Sequence, residues 1–382
     1  KRMKKIMIHA LGVSMGGAWR HLTNFLPELG KQDTLNLYTI LTRESFQNPP
    51  LPSNFKVETI SDKLIGNSLY RLYNDNLKVK RKLRQENFDA IVSLTNFGPI
   101  KTSCKHILFQ RNPIYFCNYY LDQISSKEKV ANSLRKKLAV ETMKRADLIV
   151  TPSNAMGEMI KKSCIEVSSK KFKTLYHGFS HENMMEEPLS SNFNEQLKTD
   201  KTKFFYPTHA AKHKGFEILL KAITLLKEKS SNFQVFTPIS DEDWPSGMKE
   251  LRNYIRDNKI EDSIVFMGRI PQNQIGWVYK LSDCMVYPSL CESFGFSMIE
   301  AIFSEVPIIA SDTKINQEIC GPTANYYSPL DSAELANSME FFIKEGIDKK
   351  VFSNLAKKHR EKHDWSWQHY TTEFIEILNH TI

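Results

Sequence analysis

Short apolar runs of strand length alternate with amphipathic stretches of helical length along nearly all of this 382-residue chain. That alternation constrains the fold more than any other feature, because strands separated by helices build βαβ units and therefore parallel sheets covered by helices. In the first half strands are expected at 5–10, 36–41, 55–60, 89–94, 105–109, 147–151 and 172–176. In the second half they are expected at 204–207, 233–237, 263–267, 284–288 and 306–311, with helices between most of them, notably over Phe216–Lys227 and Glu334–Ile343. Between the halves, 181–201 is polar, rich in Asn and Ser and without periodicity, which reads as a linker or long loop. The chain is too long for one ordinary core, so the expectation is α/β with two Rossmann-like domains, 1–180 and 202–364. Such sheets bind ligands outside the carboxyl ends of their strands, and two of them joined in this way would leave a cleft between them.

Charge divides where that polar stretch begins. Residues 1–180 carry 30 Lys and Arg against 14 Asp and Glu, so the net +9 of the chain splits into +16 for the first half and −7 for the second. A basic half suits nucleic acid, an anionic membrane surface or a phosphorylated substrate. The two basic runs, 78–86 and 127–145, lack the interleaved aromatics that stack on bases, which argues against nucleic acid. In the second run Val130, Leu134, Leu138 and Val140 or Met143 form an apolar stripe with most of the Lys and Arg off it. A core-packed helix with a solvated basic face and a patch for an anionic membrane surface both remain open. The cysteines at 104, 117, 164, 284, 291 and 320 are scattered, with no Cys-x-x-Cys pair and no neighbouring set of His ligands. Neither zinc nor a disulfide framework is indicated, and a reducing cytoplasm suits them. No run approaches the ~18 apolar residues of a membrane span, and the basic start reads as a first strand rather than a signal peptide.

The most informative stretch is "YPSLCESFGFSMIEAIFSEVPIIASD", Tyr287 to Asp312. It runs strand, Gly-containing turn, helix and then Pro307 opening the next strand. Glu292 falls on the turn and Glu300, after seven intervening residues, one turn into a helix expected to begin near Ser297. The amides of Phe294, Gly295, Phe296 and Ser297 would point out of that helix N-terminus, where unsatisfied donors and the positive dipole end suit a diphosphate. Ser297 and Glu300 also spell a Ser-x-x-Glu capping box, which by itself would only start a helix.

Taken whole, the stretch resembles the retaining nucleotide-sugar glycosyltransferases of family four, with their Glu-(seven residues)-Glu signature followed by a small residue, a Pro-opened strand and Ser-Asp. The resemblance implies the GT-B fold: two Rossmann-like domains facing a central cleft, with a C-terminal helix, here 365–382, crossing back to the first. It implies that Glu292 bonds hydroxyls of the donor sugar and Glu300 the nucleotide ribose; carboxylates accept two hydroxyls at once. "FFYPTHAAKHKGFEILLKAITLL" resembles the start of the family's second domain, so Lys214 takes the cation that clamps the diphosphate. His209 stands where the family has Arg. Gly268, Arg269 and Ile270 would line the nucleobase pocket, and Gly16-Gly17 corresponds to the family's turn after its first strand. Glu305 stands where the family shows Gly. "TPSNAMGEMI" (151–160) and "LYHGFS" (175–180) also resemble family segments, and Trp365 and Trp367 of "DWSWQHYTTEFIEIL" would be packing anchors.

The activity implied by the resemblance is transfer of a hexose-type sugar from a nucleotide diphosphate sugar to a glycan or lipid-linked acceptor, with retention and with no cofactor or metal. The nearest acids, Asp241 to Asp243, look like a solvated loop. Lys214, His209 and the helix amides would neutralise the leaving group. Many relatives place a His after the fifth strand of the first domain. This chain has Gln110-Arg111-Asn112 there, so Gln110 and Asn112 are expected on sugar hydroxyls and Arg111, with Asn96, on the acceptor. UDP-sugars are preferred to GDP-sugars on family frequency. The basic half would face the acceptor, at the inner face of an anionic membrane, in surface polysaccharide or glycolipid assembly. Two alternatives stay open: a non-catalytic nucleotide-sugar or polyanion-binding protein of the same fold, and a nucleotide-sugar epimerase. A phosphorylase would need a pyridoxal lysine context that the sequence does not show.

Overall fold

The computed structural model describes all residues except Lys1, Ser14, Met15, Asn67, Ala210, Asp243 and Trp244; for Gly16, Ser68, Leu69, Pro245 and Ser246 it describes the backbone alone. The chain forms two compact units, the first made of Lys1–Phe116, Ser125–Phe179 and Trp365–Ile382, the second of Cys117–Ile124 and Ser180–Asp364.

The first unit holds a seven-stranded parallel sheet of β1 (Lys5–His9), β2 (Leu37–Arg43), β3 (Phe55–Ile60), β4 (Ala90–Ser93), β5 (Lys105–Phe109), β6 (Leu148–Thr151) and β7 (Phe172–Thr174), in the order 3-2-1-4-5-6-7. Strand order reverses between β1 and β4, where Ile6 pairs with Tyr38 on one side and Ala90 on the other. Ile6, Ile8 and Ile40 pack on one face with Phe25 and Leu29 of helix Gly16–Gln32, while Met7, Leu41 and Ile91 pack on the opposite face with Val79 and Leu83. The last helix, Trp367–Thr381, lies against helix Gly16–Gln32, with Phe25 and Phe374 centroids 4.7 Å apart. Its cap, Ser366, accepts from the His369 amide. Trp365 is buried, and Trp367 occupies the space a side chain at Gly178 would need.

The second unit holds six parallel strands, β8 (Thr202–Phe205), β9 (Phe233–Thr237), β10 (Ile264–Phe266), β11 (Cys284–Tyr287), β12 (Ile308–Ser311) and β13 (Ala324–Tyr327), in the order 10-9-8-11-12-13. Its reversal falls between β8 and β11. Helix Phe216–Lys227, apolar at Ile218, Leu219, Leu220, Ile223 and Leu226, supplies much of its core.

All the expected strands form, and β13 was not foreseen. It is an edge strand of sequence Ala-Asn-Tyr-Tyr in which only Tyr327 is buried, so it carries no alternating pattern. Two further readings need correction. The polar stretch 181–201 is not a structureless loop: it contains helix Ser191–Gln196 and buries Met184, Phe193 and Leu197 within the second unit. Three well-spaced anchors suffice there, too few to register as periodicity. In helix Ser126–Arg145, which opens on a complete Ser125/Glu128 capping box, only the later part of the apolar stripe, Val140 and Met143, is buried, and its first part points outward. Val130 and Leu134 are 64% and 66% exposed, and the buried side is Asn132, Ala139, Val140, Thr142 and Met143. Periodicity shows which residues share a face, not which face meets the sheet.

Candidate active site

In the second unit two loops leave the carboxyl ends of β8 and β11, at the reversal where open α/β sheets bind ligands. They are stitched together: Tyr206 Oη donates to Lys214 O at 2.9 Å, the Leu290 amide to His213 O at 2.9 Å and Ser289 Oγ to His213 O at 3.2 Å. Gly215 is left-handed at φ 73°, and a Cβ there would lie 2.1 Å from Pro288 O. Only glycine lets the loops close to this distance.

That closure brings Lys214 to Glu292. Lys214 Nζ lies 2.7 Å from Glu292 Oε1, and the same oxygen accepts from Tyr287 Oη at 2.7 Å and Ser289 Oγ at 2.5 Å. Both side chains are largely buried, 13% and 10% exposed. Burial pushes the Glu292 carboxyl upward, but the charge of Lys214 and the three hydrogen bonds outweigh it and hold the group below its usual value. Burial, then the Lys214 charge, depress His213 to about 4, so His213 is neutral near pH 7.

Three residues past Glu292, Gly295 at φ 83° turns the chain into helix Phe296–Phe303. The expected start near Ser297 is thus one residue late, and the capping box is not formed. Ser297 Oγ donates to Pro207 O at 3.2 Å, while the buried Glu300 carboxylate accepts from Tyr279 Oη and Gln272 Nε2, each at 3.0 Å. Gln272 lies on the loop after β10, so the segment carrying Gly268, Arg269 and Ile270 is tied to the motif helix. Gly268 is left-handed, Arg269 exposed and Ile270 buried. Phe294 is buried, half-buried Phe296 packs edge-on to it, and exposed His209 lies with its ring 6.3 Å from that of His213. Asp241 pairs with Arg252 at 2.8 Å; Asp243 lies outside the described residues. Among the described residues no group of three or more His, Cys, Asp or Glu is placed to hold a metal ion.

The residues predicted in the first unit do something different. Asn96, left-handed at φ 59°, accepts with Oδ1 from the amides of Arg111 at 2.7 Å and Asn112 at 2.8 Å, and Gln110 Nε2 donates to Asn96 O at 3.1 Å. Gln110 is fully buried and Asn112 caps the short helix Pro113–Tyr115. Asn96, Gln110 and Asn112 therefore lock the turn after β5. Gln110 has no exposed surface, and its Oε1 accepts no hydrogen bond. Arg111 Nη2 lies 2.9 Å from His21 Nε2 and 3.4 Å from Tyr370 Oη, and its guanidinium stacks 5.1 Å from the Phe109 centroid. These bonds brace the returning helix, so Arg111 too is occupied within its own unit. Gly16 opens helix Gly16–Gln32 and Gly17 is exposed in its first turn.

The sequence reading missed Tyr287, Ser289, Tyr279 and Gln272, the side chains that orient the two glutamates. Tyr287 and Ser289 stand in the "YPS" preceding Glu292, where a hydroxyl three or five residues from a carboxylate at a strand end was the available signal. Nothing local marks Tyr279 or Gln272 as partners of Glu300.

Two units, each a parallel sheet with one strand reversal and helices on its faces, have the architecture of the GT-B fold. Residues 190–359 match the family model of "Glycosyl transferases group 1". The O-antigen chain mannosyltransferase RfbU of Salmonella typhimurium is 25% identical over 214 residues, 56% of this chain and 54% of that protein. An uncharacterized glycosyltransferase of Haemophilus influenzae is 25% identical over 324 residues, 81% of this chain and 80% of that protein. The chain spans little more than half the length of the first of these relatives. Among solved structures, sucrose-phosphate synthase from Thermosynechococcus elongatus superimposes with TM-score 0.73 at 14% identity, covering 99% of this chain and 98% of that one. HepE of Anabaena in complex with UDP-glucose gives TM-score 0.70 at 17% identity, covering 98% and 99%. The solved structures show that the chain has the GT-B fold, and within it the stretch 190–359 is similar to the glycosyl transferases of group 1.

Proposed function

We propose that this protein moves a hexose-type sugar from a nucleotide diphosphate sugar to a glycan or lipid-linked acceptor, retaining anomeric configuration and using no metal ion. The observation that carries the reading is the Lys214–Glu292 pair, 2.7 Å apart at the β8/β11 reversal and just before a helix N-terminus. Lys214 and the first-turn amides of that helix supply positive potential for a departing diphosphate, and Glu292, ionised and oriented by Tyr287 and Ser289, accepts from hydroxyls of the sugar. Glu300, held by Tyr279 and Gln272, accepts from the ribose. A fixed cation and fixed amides need no reorganisation as leaving-group charge develops, and removing one such contact typically costs on the order of 10²-fold in rate. UDP is the preferred nucleotide, supported by the UDP-glucose complex of HepE, and surface polysaccharide assembly the preferred setting, supported by the O-antigen relative. Both would place the work at the cytoplasmic side of a membrane.

The deciding experiment is calorimetry and thermal shift with UDP, GDP and ADP and their sugars, with and without chelator. One nucleotide should bind, more tightly when it carries one particular sugar, and chelator should change nothing. Silence from every nucleotide would overturn the transferase reading in favour of a non-catalytic role. Glu292→Gln should then abolish transfer while keeping most nucleotide affinity, and Glu300→Ala should weaken nucleotides with or without sugar.

A further inference from the structure

The outward stripe of helix Ser126–Arg145 has a counterpart. In the segment 68–85, which joins β3 to β4, Tyr73 is 48% and Leu77 60% exposed, four residues apart and so on one side of a helical turn. The two helical segments lie on the same side of the sheet. With strand order 3-2-1-4-5-6-7, the β3-to-β4 and β5-to-β6 connections both run toward β7, and right-handed crossovers that run the same way place their helices on the same face. Helix Gly16–Gln32 joins β1 to β2 in the other sense and covers the opposite face, in agreement with the two separate cores.

Each apolar pair sits among bases. Lys127, Lys129, Arg135 and Lys137 are exposed around Val130 and Leu134, as are Lys78, Lys80, Arg81 and Arg84 around Tyr73 and Leu77. The acids nearby are engaged elsewhere: Glu128 in the Ser125 capping box, Glu141 with Lys144 and Glu86 with Lys82. Lys127 and Lys129 form no ion pair among the described residues, and Lys137 shares Glu141 with Lys144 and Arg145. Lys78 Nζ lies 5.7 Å from the Tyr73 centroid, so charge and ring share one surface.

We propose that this face of the first unit is a docking surface for an anionic lipid bilayer, with Val130, Leu134, Tyr73 and Leu77 entering the headgroup boundary and the surrounding Lys and Arg neutralising lipid phosphates. Exposed apolar side chains flanked by bases on a helix are the composition of an interfacial helix, and juxtaposed bases add attraction to an anionic leaflet. A second copy of this chain fits worse, because it would bring the same positive face against this one. No helix among the described residues is long and apolar enough to cross a membrane, so contact would be made by the surface. The inference deepens the proposed lipid-linked acceptor chemistry, but its test needs neither donor nor acceptor.

Vesicles of phosphatidylcholine alone, and of phosphatidylcholine with about 30% phosphatidylglycerol, would be floated with the protein at low and physiological salt. The protein should float with anionic vesicles only, less at higher salt. The double variant Val130→Ser/Leu134→Ser, with every charge kept, should lose roughly tenfold or more in partition at equal salt; Lys127→Glu/Lys129→Glu should lose as much and lose the salt dependence. Both change exposed positions outside the nucleotide-binding unit, so unchanged melting and unchanged nucleotide binding would show that fold and donor site are intact. Equal flotation of wild type and the serine variant would overturn the proposal, as would equal binding to neutral vesicles or no flotation at all. A concentration-dependent dimer in light scattering that the serine variant abolishes would overturn it in favour of self-association.

Discussion

At the scale of single residues the site is governed by one buried ion pair. Three donors converge on a single oxygen of Glu292, and removing Lys214 alone would leave that carboxylate buried with two neutral donors. Breaking such a pair from one side costs about 3 kcal/mol, much of it the penalty of an uncompensated charge. Lys214→Met should therefore destabilise the protein by about that amount in urea unfolding, and Lys214→Met/Glu292→Gln should recover more than half of it. A double variant no better than Lys214→Met would mean that the pair is not coupled. The sign of the pH effect comes from the lowered Glu292 carboxyl: its contribution is complete above its unfolded value near 4.5 and is lost as pH falls through the folded one. Glu292 and Glu300 were legible because motif spacing puts them on one strand-turn-helix, whereas Lys214, 78 residues from Glu292, was legible only through the family resemblance. Tyr279 and Gln272 reach Glu300 from 21 and 28 residues away, and their alignment depends on how β10 and β11 sit in the sheet.

At the scale of elements, the helix carrying Glu300 ends in a way that explains the departure at Glu305. That residue is left-handed at φ 57°, the conformation for which helix C-termini favour glycine. Arg360 compensates, donating to Ile302 O at 3.0 Å, to Phe303 O at 3.2 Å and to Glu305 Oε1 at 2.9 Å. A left-handed non-glycine costs roughly 1 kcal/mol, and a partly exposed ion pair returns less than that. Glu305→Gly should thus raise stability by about 0.5 kcal/mol, read from the denaturant midpoint, whereas a loss would show the Arg360 bond to be the stronger contribution. Gly215→Ala runs the other way. Its Cβ would meet the Pro288 carbonyl, so the loops must part, with a loss of at least ~1 kcal/mol and of Lys214's placement. Nucleotide calorimetry on the variant should show weakened binding; full affinity would mean that loop closure does not set the site.

At the scale of the whole molecule, acid sensitivity should come from histidines buried as neutral rings. Burial, reinforced by the Arg111 charge, holds His21 and His177 well below 6.5, while burial takes His106 and His213 to about 4. The unfolded chain binds protons at these sites first. Their contribution is therefore whole above the unfolded value near 6.5 and is lost as pH falls toward 4, at up to ~1.4 kcal/mol per pH unit for each ring. Denaturant unfolding from about pH 7.5 to 4.5 should show a steep decline beginning near 6.5, and a flat profile would refute the buried neutral state. Arg111→Met should soften that decline, because it removes the charge that opposes protonation of His21 and His177.

By itself the sequence determined the alternation of strands and helices, the division of charge, the motif spacing that puts Glu292 and Glu300 on one strand-turn-helix, and the family resemblance. Each is a local property: a periodicity, a composition or a short separation along the chain. Tertiary structure alone decided the rest. It set the edge strand β13, whose residues carry no pattern of their own, and the partners that orient the two glutamates. It assigned Asn96, Gln110 and Arg111 to bracing a turn and a helix, and it turned Val130 and Leu134 outward. The reason is the same in each case. Pattern says which residues lie together on an element, but the side of the element that meets the sheet, and which distant groups close on a buried charge, are set by packing of the whole unit.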